Sequence, residues 1–398
     1  MANSPSSKEV FVVGYARTPI GSFQGALSSI PAPKLGAIAI EGALKRAGVQ
    51  PNQVSEVIMG NVLTAGEGQA PARQAMINAG IPNTVPALTI NKVCGSGMKA
   101  LMLGAQSIML GDSDVVVAGG MENMSQAPYL VSNARGGFRM GHQQFIDSMI
   151  HDGLWDPYNN QHMGNCGELC AKERNFSRKD QDDFAIESFR RAQEAQKSGK
   201  FADEITPVAI QGKKGDVTQF DTDEGPAKVQ FDKIPTLKPV FDKAGTVTAA
   251  NASTINDGAA ALVLMSGEKV RELGLKPIAK IISYGTNAQD PVWFTTAPAE
   301  AMRRAMKKAG WDAKQVDLWE VNEAFAVVAL AAQRELEIPM DRINVRGGGI
   351  SLGHPIGASG ARIVITLISA MKEKNLKRGV AGICIGGGEG TALCVEML

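Results

Sequence analysis

The stretch AIEGALKRAGVQPNQV, residues 39–54, returns without a gap as AMRRAMKKAGWDAKQV at residues 301–316. Ala39, Ala43, Lys45, Ala47, Gly48, Gln53 and Val54 each recur. Each copy has the spacing of an amphipathic helix that stops at a glycine. Each leads into a short apolar run ending at an asparagine, Asn61 in the first and Asn322 in the second. A second echo follows the first. Cys94 precedes Gly-Ser-Gly-Met-Lys, a helical segment and DVVVAGGMENMS, while His354 precedes Ala-Ser-Gly-Ala-Arg, a helical segment and GVAGICIGGGEGT. Two ordered matches predict two copies of one α/β unit.

Strand-length apolar runs such as VFVVGYA (10–16) and DVVVAGG (114–120) alternate with helical segments around these copies, as expected of an α/β protein with a buried sheet. Residues 124–255 are more polar, with clusters such as QGKKGDV and DTDEGPAK. They read as an inserted domain of loops and helices. The expected division is a first half over 1–123, completed by about 256–277, the insertion over 124–255, and a second half over 278–398.

Composition narrows the function classes. With 41 basic and 40 acidic residues, the net charge of +1 gives no electrostatic reason to expect nucleic acid or an anionic membrane as partner. No segment reads as a membrane span, and the start MANSPSSKEV has neither the apolar core of a signal peptide nor the arginines of a transit peptide. Five scattered cysteines, an odd number, do not form a disulfide framework, so a reducing, cytoplasmic setting is expected.

Cys94 sits just before an apolar helix whose first turn is small. The positive end of such a helix lowers a thiol pKa, and glycines leave room for a ligand, which together suit a nucleophile. Among four histidines, only His354 lies in a glycine-rich run that opens onto a matching Ser-Gly helix start. Two-fold-related halves would bring those starts to one cleft and the imidazole to the sulfur. Cys384, ending the strand that matches DVVVAGG, is placed to shuttle a proton. Asn322, at a strand end, is a candidate oxyanion donor.

Three motifs are set aside. GISLG (349–353) has the G-x-S-x-G pattern of serine hydrolases, but no aspartate follows Ser351 and the histidine is three residues away. GGGEGT (386–391) resembles a phosphate loop yet opens no helix. Cys166 and Cys170 could share a helix face with a metal, but no second ligand pair accompanies them, so they read as core residues and no metal is expected.

ARTPIGSFQGALSS, GQAPARQA, NKVCGSGMKA, GGMENMS, GTVTAANAS, NEAFA, GHPIGASGARI and CIGGGEG together resemble the thiolase family over nearly the whole chain. The resemblance implies two α/β halves with five-stranded mixed sheets in a five-layered α-β-α-β-α body, with a loop domain inserted. It implies an acetyl-CoA C-acetyltransferase with no prosthetic group, using coenzyme A thioesters as substrates. In that pattern Cys94 takes the acetyl group, His354 activates it and Cys384 exchanges the proton of the second substrate. One oxyanion hole would use His354 and a water held by Asn322; the other would use the N–H groups of Cys94 and Gly386. His162, Met163, Ser253, Ala324 and Phe325 would line the pantetheine and acyl pocket. A cytoplasmic homotetramer or homodimer in the mevalonate pathway is implied, with a longer-chain or branched 3-ketoacyl-CoA thiolase as the alternative.

The chain departs from the family at Arg346 and Gly349, where thiolases carry Asn and Ala, and at HMGNCGELCA (162–171). Those departures bear on acyl-chain preference. Lys213, Lys214 and Lys228 are the candidates for holding the coenzyme A phosphates.

Overall fold

The computed structural model describes residues 8–212 and 215–398, so Lys213 and Lys214 lie outside the described residues. In chain order the first half is β1 (Val10–Arg17), α1 (Ala32–Ala47), β2 (Glu56–Gly60), α2 (Pro71–Asn78), β3 (Ala87–Ile90), α3 (Ser96–Leu110) and β4 (Val115–Asn123). The inserted segment contributes α4 (Met163–Glu173) and α5 (Arg178–Lys197). The chain then returns to the first sheet with β5 (Asn256–Ser266) and α6 (Gly267–Glu272). Next come β6 (Ala279–Ala288), α7 (Ala297–Ala309), β7 (Leu318–Val321), α8 (Ala326–Leu336), α9 (Ile356–Lys374), β8 (Arg378–Ile385) and β9 (Glu389–Met397).

The sequence repeat has a structural cause at three of its seven recurring positions. Gly48 and Gly310 end α1 and α7 in the left-handed region, at φ 68° and 70°, where a Cβ would be strained. Gln53 and Gln315 each close a capping box on the following turn, accepting the N–H of Gln50 (2.8 Å) and Asp312 (2.9 Å). Val54 and Val316 then bury at the entrance to β2 and β7.

In the first half the strands run β3-β2-β4-β5-β1, and in the second β7-β8-β9-β6. The place of a fifth strand is taken by a single parallel bridge between Trp319 and Ile343. The two halves are not separate sheets. β1 pairs with β6 at Val10–Val12 against Ala279–Ile281, and this short seam makes one continuous mixed sheet. Helices α3 and α9 pack together between the two halves, where Met98, Leu101, Val364 and Ile368 share one core with both sheet faces. α1 and α2 cover the outer face of the first half, and α7 and α8 that of the second.

One expectation is corrected here. Val93–Leu110 is an 18-residue window of mean hydropathy 1.2, long and apolar enough to span a membrane by length and composition. Its inner face, with Met98, Leu101, Met102 and Ile108, is fully or nearly fully buried in the middle layer, while Leu110 at its end is exposed. A helix packed between two sheet faces needs a wide apolar face, which accounts for the hydropathy.

The inserted segment is fastened to the body by buried ion pairs. Arg17 of β1 reaches Glu204 and Asp223, both at 2.8 Å, with all three side chains fully buried. Removing one partner of such a set leaves an uncompensated charge and costs about 3–5 kcal/mol.

Candidate active site

The starts of α3 and α9 touch. A Cβ on Gly97 would lie 2.8 Å from the backbone nitrogen of Ala361 and 3.0 Å from the oxygen of Gly357, so only glycine lets the two helices meet this closely. Cys94 lies two residues before α3, half-buried against Val62, Leu63, Met124, Met149 and Ile356. Ser96 secures the loop ahead of the helix: its Oγ donates to the oxygen of Val93 (2.7 Å) and accepts the N–H of Lys92 (2.8 Å).

His354 is buried at the start of α9. Ser359 Oγ lies 2.9 Å from the oxygen of Pro355 and 2.6 Å from His354 Nδ1, and we assign the Nδ1–H tautomer because it satisfies both contacts together with the Asn322 Nδ2 donor on the Nε2 side. That places the imidazole proton on Nδ1 and leaves a lone pair on Nε2. Nε2 faces Asn322 Nδ2 at 3.4 Å. The other atom of that amide, Asn322 Oδ1, is buried without a protein partner. Burial, then the charge of Arg362, push the imidazole down to about 3, so it is neutral across the physiological range.

Asn322 N–H donates to the oxygen of Gly382 on β8 (3.0 Å), which ties the imidazole's neighbour to the strand that ends at Cys384 and Ile385. Cys384 is fully buried, and its thiol is raised well above the ordinary range by burial and by the nearby sulfur of Cys94. The N–H groups of Gly386 and of Cys94 itself are directed at the Cys94 sulfur. The two thiols and Gly386 thus form one cluster, and Asn322 joins His354 to it.

The structure overturns the expected acidity of Cys94. Desolvation pushes its thiol up to about 12, against the lowering by the two N–H groups, and Glu122 adds to the rise. Helix α3 begins only at Ser96, so the dipole acts weakly and burial wins. Cys384 is corrected in the same sense: both thiols rest protonated. Chemistry at this site therefore has to move a proton as the sulfur attacks.

Around the cluster, Met163 lies against Gly386, its sulfur 3.9 Å from where a Cβ there would stand. His162 caps α4, accepting the N–H of Gly164 on Nδ1 (3.0 Å), and stacks on Phe241 with centroids 4.7 Å apart. Phe325 meets Phe241 edge-on at 6.1 Å, and Ala324 accepts the N–H of Ser253 (2.9 Å). A cavity of about 760 Å³ opens between the inserted segment and the body, lined by Ser253, Phe241, Ile350, Lys228 and Lys233 among others. Of the five residues expected to line a pocket, only Ser253 faces this cavity directly; His162 and Phe325 stand behind Phe241. A second cavity, about 690 Å³, lies between α7 and α8 beside Trp311, away from every titratable group of the cluster. Size alone does not select the site; the convergent polar groups do.

The departures have definite positions. Arg346 does not border the cavity: it is buried, bound to Glu204 (2.9 Å), Glu373 (2.8 Å) and Ser369 Oγ (2.8 Å), and braces the inserted segment against α9. Gly349 does border the site, since a Cβ there would sit 3.3 Å from Asn322 Oδ1. Cys166 and Cys170 are buried in the core under α4. Ser351 is locked in a hydrogen-bonded loop with Ser188 Oγ (2.8 Å), and GGGEGT is the three-glycine turn after β8 followed by the first residues of β9.

The model for "Thiolase, N-terminal domain" matches residues 10–268 and that for "Thiolase, C-terminal domain" matches residues 275–397. The chain belongs to the thiolase family. This thiolase is 55% identical to an acetyl-CoA acetyltransferase of Cupriavidus necator over 98% of its own length and 99% of the relative's. It is also 55% identical to acetyl-CoA acetyltransferase 2 of Arabidopsis thaliana, covering 100% and 99%. The crystal structure of the Bacillus anthracis acetyl-CoA acetyltransferase superposes with a TM-score of 0.97 at 41% identity, covering 99% of this thiolase and all of that chain.

Sequence reasoning passed over three residues of this thiolase's site. Ser359, which sets the tautomer of His354, was visible as the serine shared by the two Ser-Gly helix starts. Glu122 and Asn61 hold the start of α9: Glu122 accepts the N–H groups of Val62 (3.1 Å), Leu63 (3.0 Å) and Gly357 (2.8 Å), and Asn61 Nδ2 donates to it (3.0 Å). Their signal was their place in the repeat, opposite Asn322 and Cys384.

Proposed function

We propose that this thiolase is an acetyl-CoA C-acetyltransferase, which condenses two acetyl-CoA to acetoacetyl-CoA and CoA and runs the reverse, with the acetyl group carried on Cys94. The observation that supports the reading is the nearness of Cys94 and Cys384 from the two halves, with His354 facing Asn322, whose N–H is bonded to the strand that carries Cys384. In the first half-reaction the Cys94 sulfur attacks the acetyl carbonyl while its proton passes to Nε2 of His354. The charge that develops on the carbonyl oxygen faces the N–H groups of Cys94 and Gly386, donors fixed before the reaction begins. His354 returns the proton to the departing CoA thiolate, leaving an acetyl thioester.

Acetylation of Cys94 leaves Cys384 as the free thiol beside the acetyl group. Cys384 gives its own thiol proton to Nε2 of His354 and, as the thiolate, takes a proton from the methyl group of a second acetyl-CoA; once condensation is complete, His354 returns its proton to Cys384. The carbanion attacks the acetyl carbon on Cys94, acetoacetyl-CoA leaves, and the proton on Cys384 passes to the released Cys94 sulfur. The thioester of the second substrate develops enolate charge against Nε2 of His354, which must then carry a proton, and a water held by Asn322. An unpartnered Asn322 Oδ1 supports that role.

The pantetheine arm enters through the cavity beside Ser253, with Lys228 and Lys233 supplying positive charge for the phosphates. No prosthetic group is required. The relatives' common name favours acetyl over longer or branched acyl chains, and comparing kcat/KM for acetoacetyl-CoA with that for longer 3-ketoacyl-CoA thioesters measures the preference. In this reading the enzyme is a cytoplasmic homotetramer or homodimer at the entry to the mevalonate pathway. Exposed Tyr129, Met140 and Phe145 in the inserted segment support self-association, and light scattering counts the subunits. The test of the reading is incubation with acetyl-CoA and peptide mass spectrometry. One acetyl group on Cys94, released by CoA, is expected; a protein that acquires none and does not cleave acetoacetyl-CoA overturns it.

A further inference from the structure

The loop that carries Cys94 is strained. Val93 adopts φ 44°, in the left-handed region that a β-branched residue strongly disfavours. Such a conformation persists only where the surroundings hold it. Two holds lie within the loop's own half: Asn91 Oδ1 accepts the N–H of Val93 (2.9 Å), and Ser96 Oγ bridges Val93 and Lys92. A third crosses to the other half. Lys92 Nζ forms an ion pair with Glu389, the first residue of β9. Among the described residues, and apart from the Gly386 N–H directed at the Cys94 sulfur, it is the one side-chain hydrogen bond or ion pair that joins residues 91–95 to the second half.

Glu389 stands at the foot of the turn that presents Gly386. It pairs with Ile385 across the β8–β9 hairpin, and Gly386, Gly387 and Gly388 make the turn between them. The Cys94 loop is already seated on this turn: a Cβ on Gly95 would lie 2.4 Å from Ile385 Cδ1. The two N–H groups directed at one sulfur therefore come from two loops on different halves, joined by apolar contact and one ion pair. Apolar contact is not directional; an ion pair with a carboxylate at a fixed hairpin position is.

We infer that Lys92 and Glu389 are positioning residues, a staple across the pseudo-symmetric halves that sets the spacing of the Cys94 and Gly386 N–H groups and so the rate of acetyl transfer to Cys94. Neither touches the reacting atoms. The inference rests on the acetyl-transfer reading above. With side chains 24% and 37% exposed, the pair contributes little to stability. Misplacing a catalytic group by about 1 Å costs up to roughly a hundredfold in rate, so a partial shift should cost about tenfold.

Rapid-quench mass spectrometry of Cys94 acetylation tests this in the full-length enzyme, its Lys92→Met and Glu389→Gln variants, and the charge-swapped Lys92→Glu/Glu389→Lys double variant. Each single variant should acetylate about tenfold more slowly, with the acetyl-CoA concentration at half-maximal rate within about twofold of the parent. The charge swap should recover most of the loss. Salt near 1 M, which shortens the screening length to about 3 Å, should slow the parent more than Lys92→Met. Single variants within twofold of the parent rate, a swap as slow as the singles, or an equal salt response would each overturn the inference. Should a single variant fail to fold, the charge swap and the salt response of the parent still decide. A parent that takes up no acetyl group is a separate failure, which sinks the acetyl-transfer reading itself and this inference with it.

Discussion

The ends of β2 and β4 in the first half and of β7 and β8 in the second are the same place in the repeated unit. Gly60 pairs with Gly120, as Val321 pairs with Gly382. One residue past β2 is Asn61, and one past β7 is Asn322. Two residues past the paired glycines are Glu122 and Cys384. Each strand end faces the central helix start of the opposite half: Glu122 holds Gly357 of α9, and Cys384 lies beside Cys94 ahead of α3. In the first half the asparagine donates to the acid, which also accepts backbone N–H groups; in the second the asparagine meets an imidazole and the acid is replaced by a thiol. One copy of the scaffold is used for fixing, the other for reacting. What separates them is the group beside each asparagine, since both asparagine Oδ1 atoms are buried without a protein partner. Glu122 accepts several donors, whereas His354 Nε2 has only the long 3.4 Å contact with Asn322 Nδ2.

The contrast is broken most severely at Cys94. Cys94→Ala should lower turnover on the order of 10⁴-fold or more while leaving the melting temperature nearly unchanged, as steady-state kinetics and calorimetry would show. At its counterpart, Gly357→Ala sets a methyl 2.8 Å from the oxygen of Met121, so it should lower the yield of folded protein instead.

The asparagines give the next largest difference. Asn322→Ala should lower kcat by about 10²–10³-fold, the usual cost of one preorganised donor, at little cost in stability. Asn61→Ala should do the reverse, changing kcat by only a few-fold and lowering unfolding free energy by about 1–3 kcal/mol, because Glu122 loses a buried donor. Equal kinetic effects of the two substitutions would erase the division of labour.

Glu122→Gln is a smaller test of the fixing half. A neutral amide with one fewer acceptor should cost about 1–3 kcal/mol in urea-induced unfolding and leave turnover within about tenfold of the parent.

A further expected effect is on the pH dependence of stability rather than on turnover. His354 is depressed to about 3 when folded, against 6.5 for the free side chain. Between those values the unfolded chain binds a proton at this position and the folded chain does not, so the contribution is present above pH 6.5 and is lost as pH falls toward 3. Relative to His354→Asn, the parent should lose about 1.4 kcal/mol of stability per pH unit across that window, measured by denaturant unfolding.

Much of this was legible in the sequence. The repeat was readable because its matching residues do local work: a glycine in the left-handed cap, a glutamine in a capping box, a valine buried at the next strand. The pairing of Cys94 with His354 was readable because both precede a Ser-Gly helix start. Other features depend on what lies around a residue. The acidity of Cys94 was misjudged because its sequence neighbours suggest a helix dipole, while burial by Val62, Met124 and Ile356, distant in the chain, sets the outcome. Arg346 was expected, from the family resemblance, to bear on acyl-chain preference, yet its guanidinium turns toward Glu204 of the inserted segment. The membrane-length apolar window was overlooked because glycines and serines break up its start. The strain at Val93 is held by the neighbouring side chains of Asn91 and Ser96, whose hydrogen bonds are not marked by residue type alone.

The central claim is a division of labour between two thiols, with Cys94 carrying the acetyl group and Cys384 moving the proton. The direct test is to mix Cys384→Ala with acetyl-CoA, quench over time, and measure both the acetyl content of Cys94 and the acetoacetyl-CoA formed. The account predicts acetyl-Cys94 near stoichiometry, persisting because condensation is slowed by about 10²–10⁴-fold. Acetoacetyl-CoA formed at the parent rate, or a Cys94 that takes up no acetyl group in a folded variant, would contradict it.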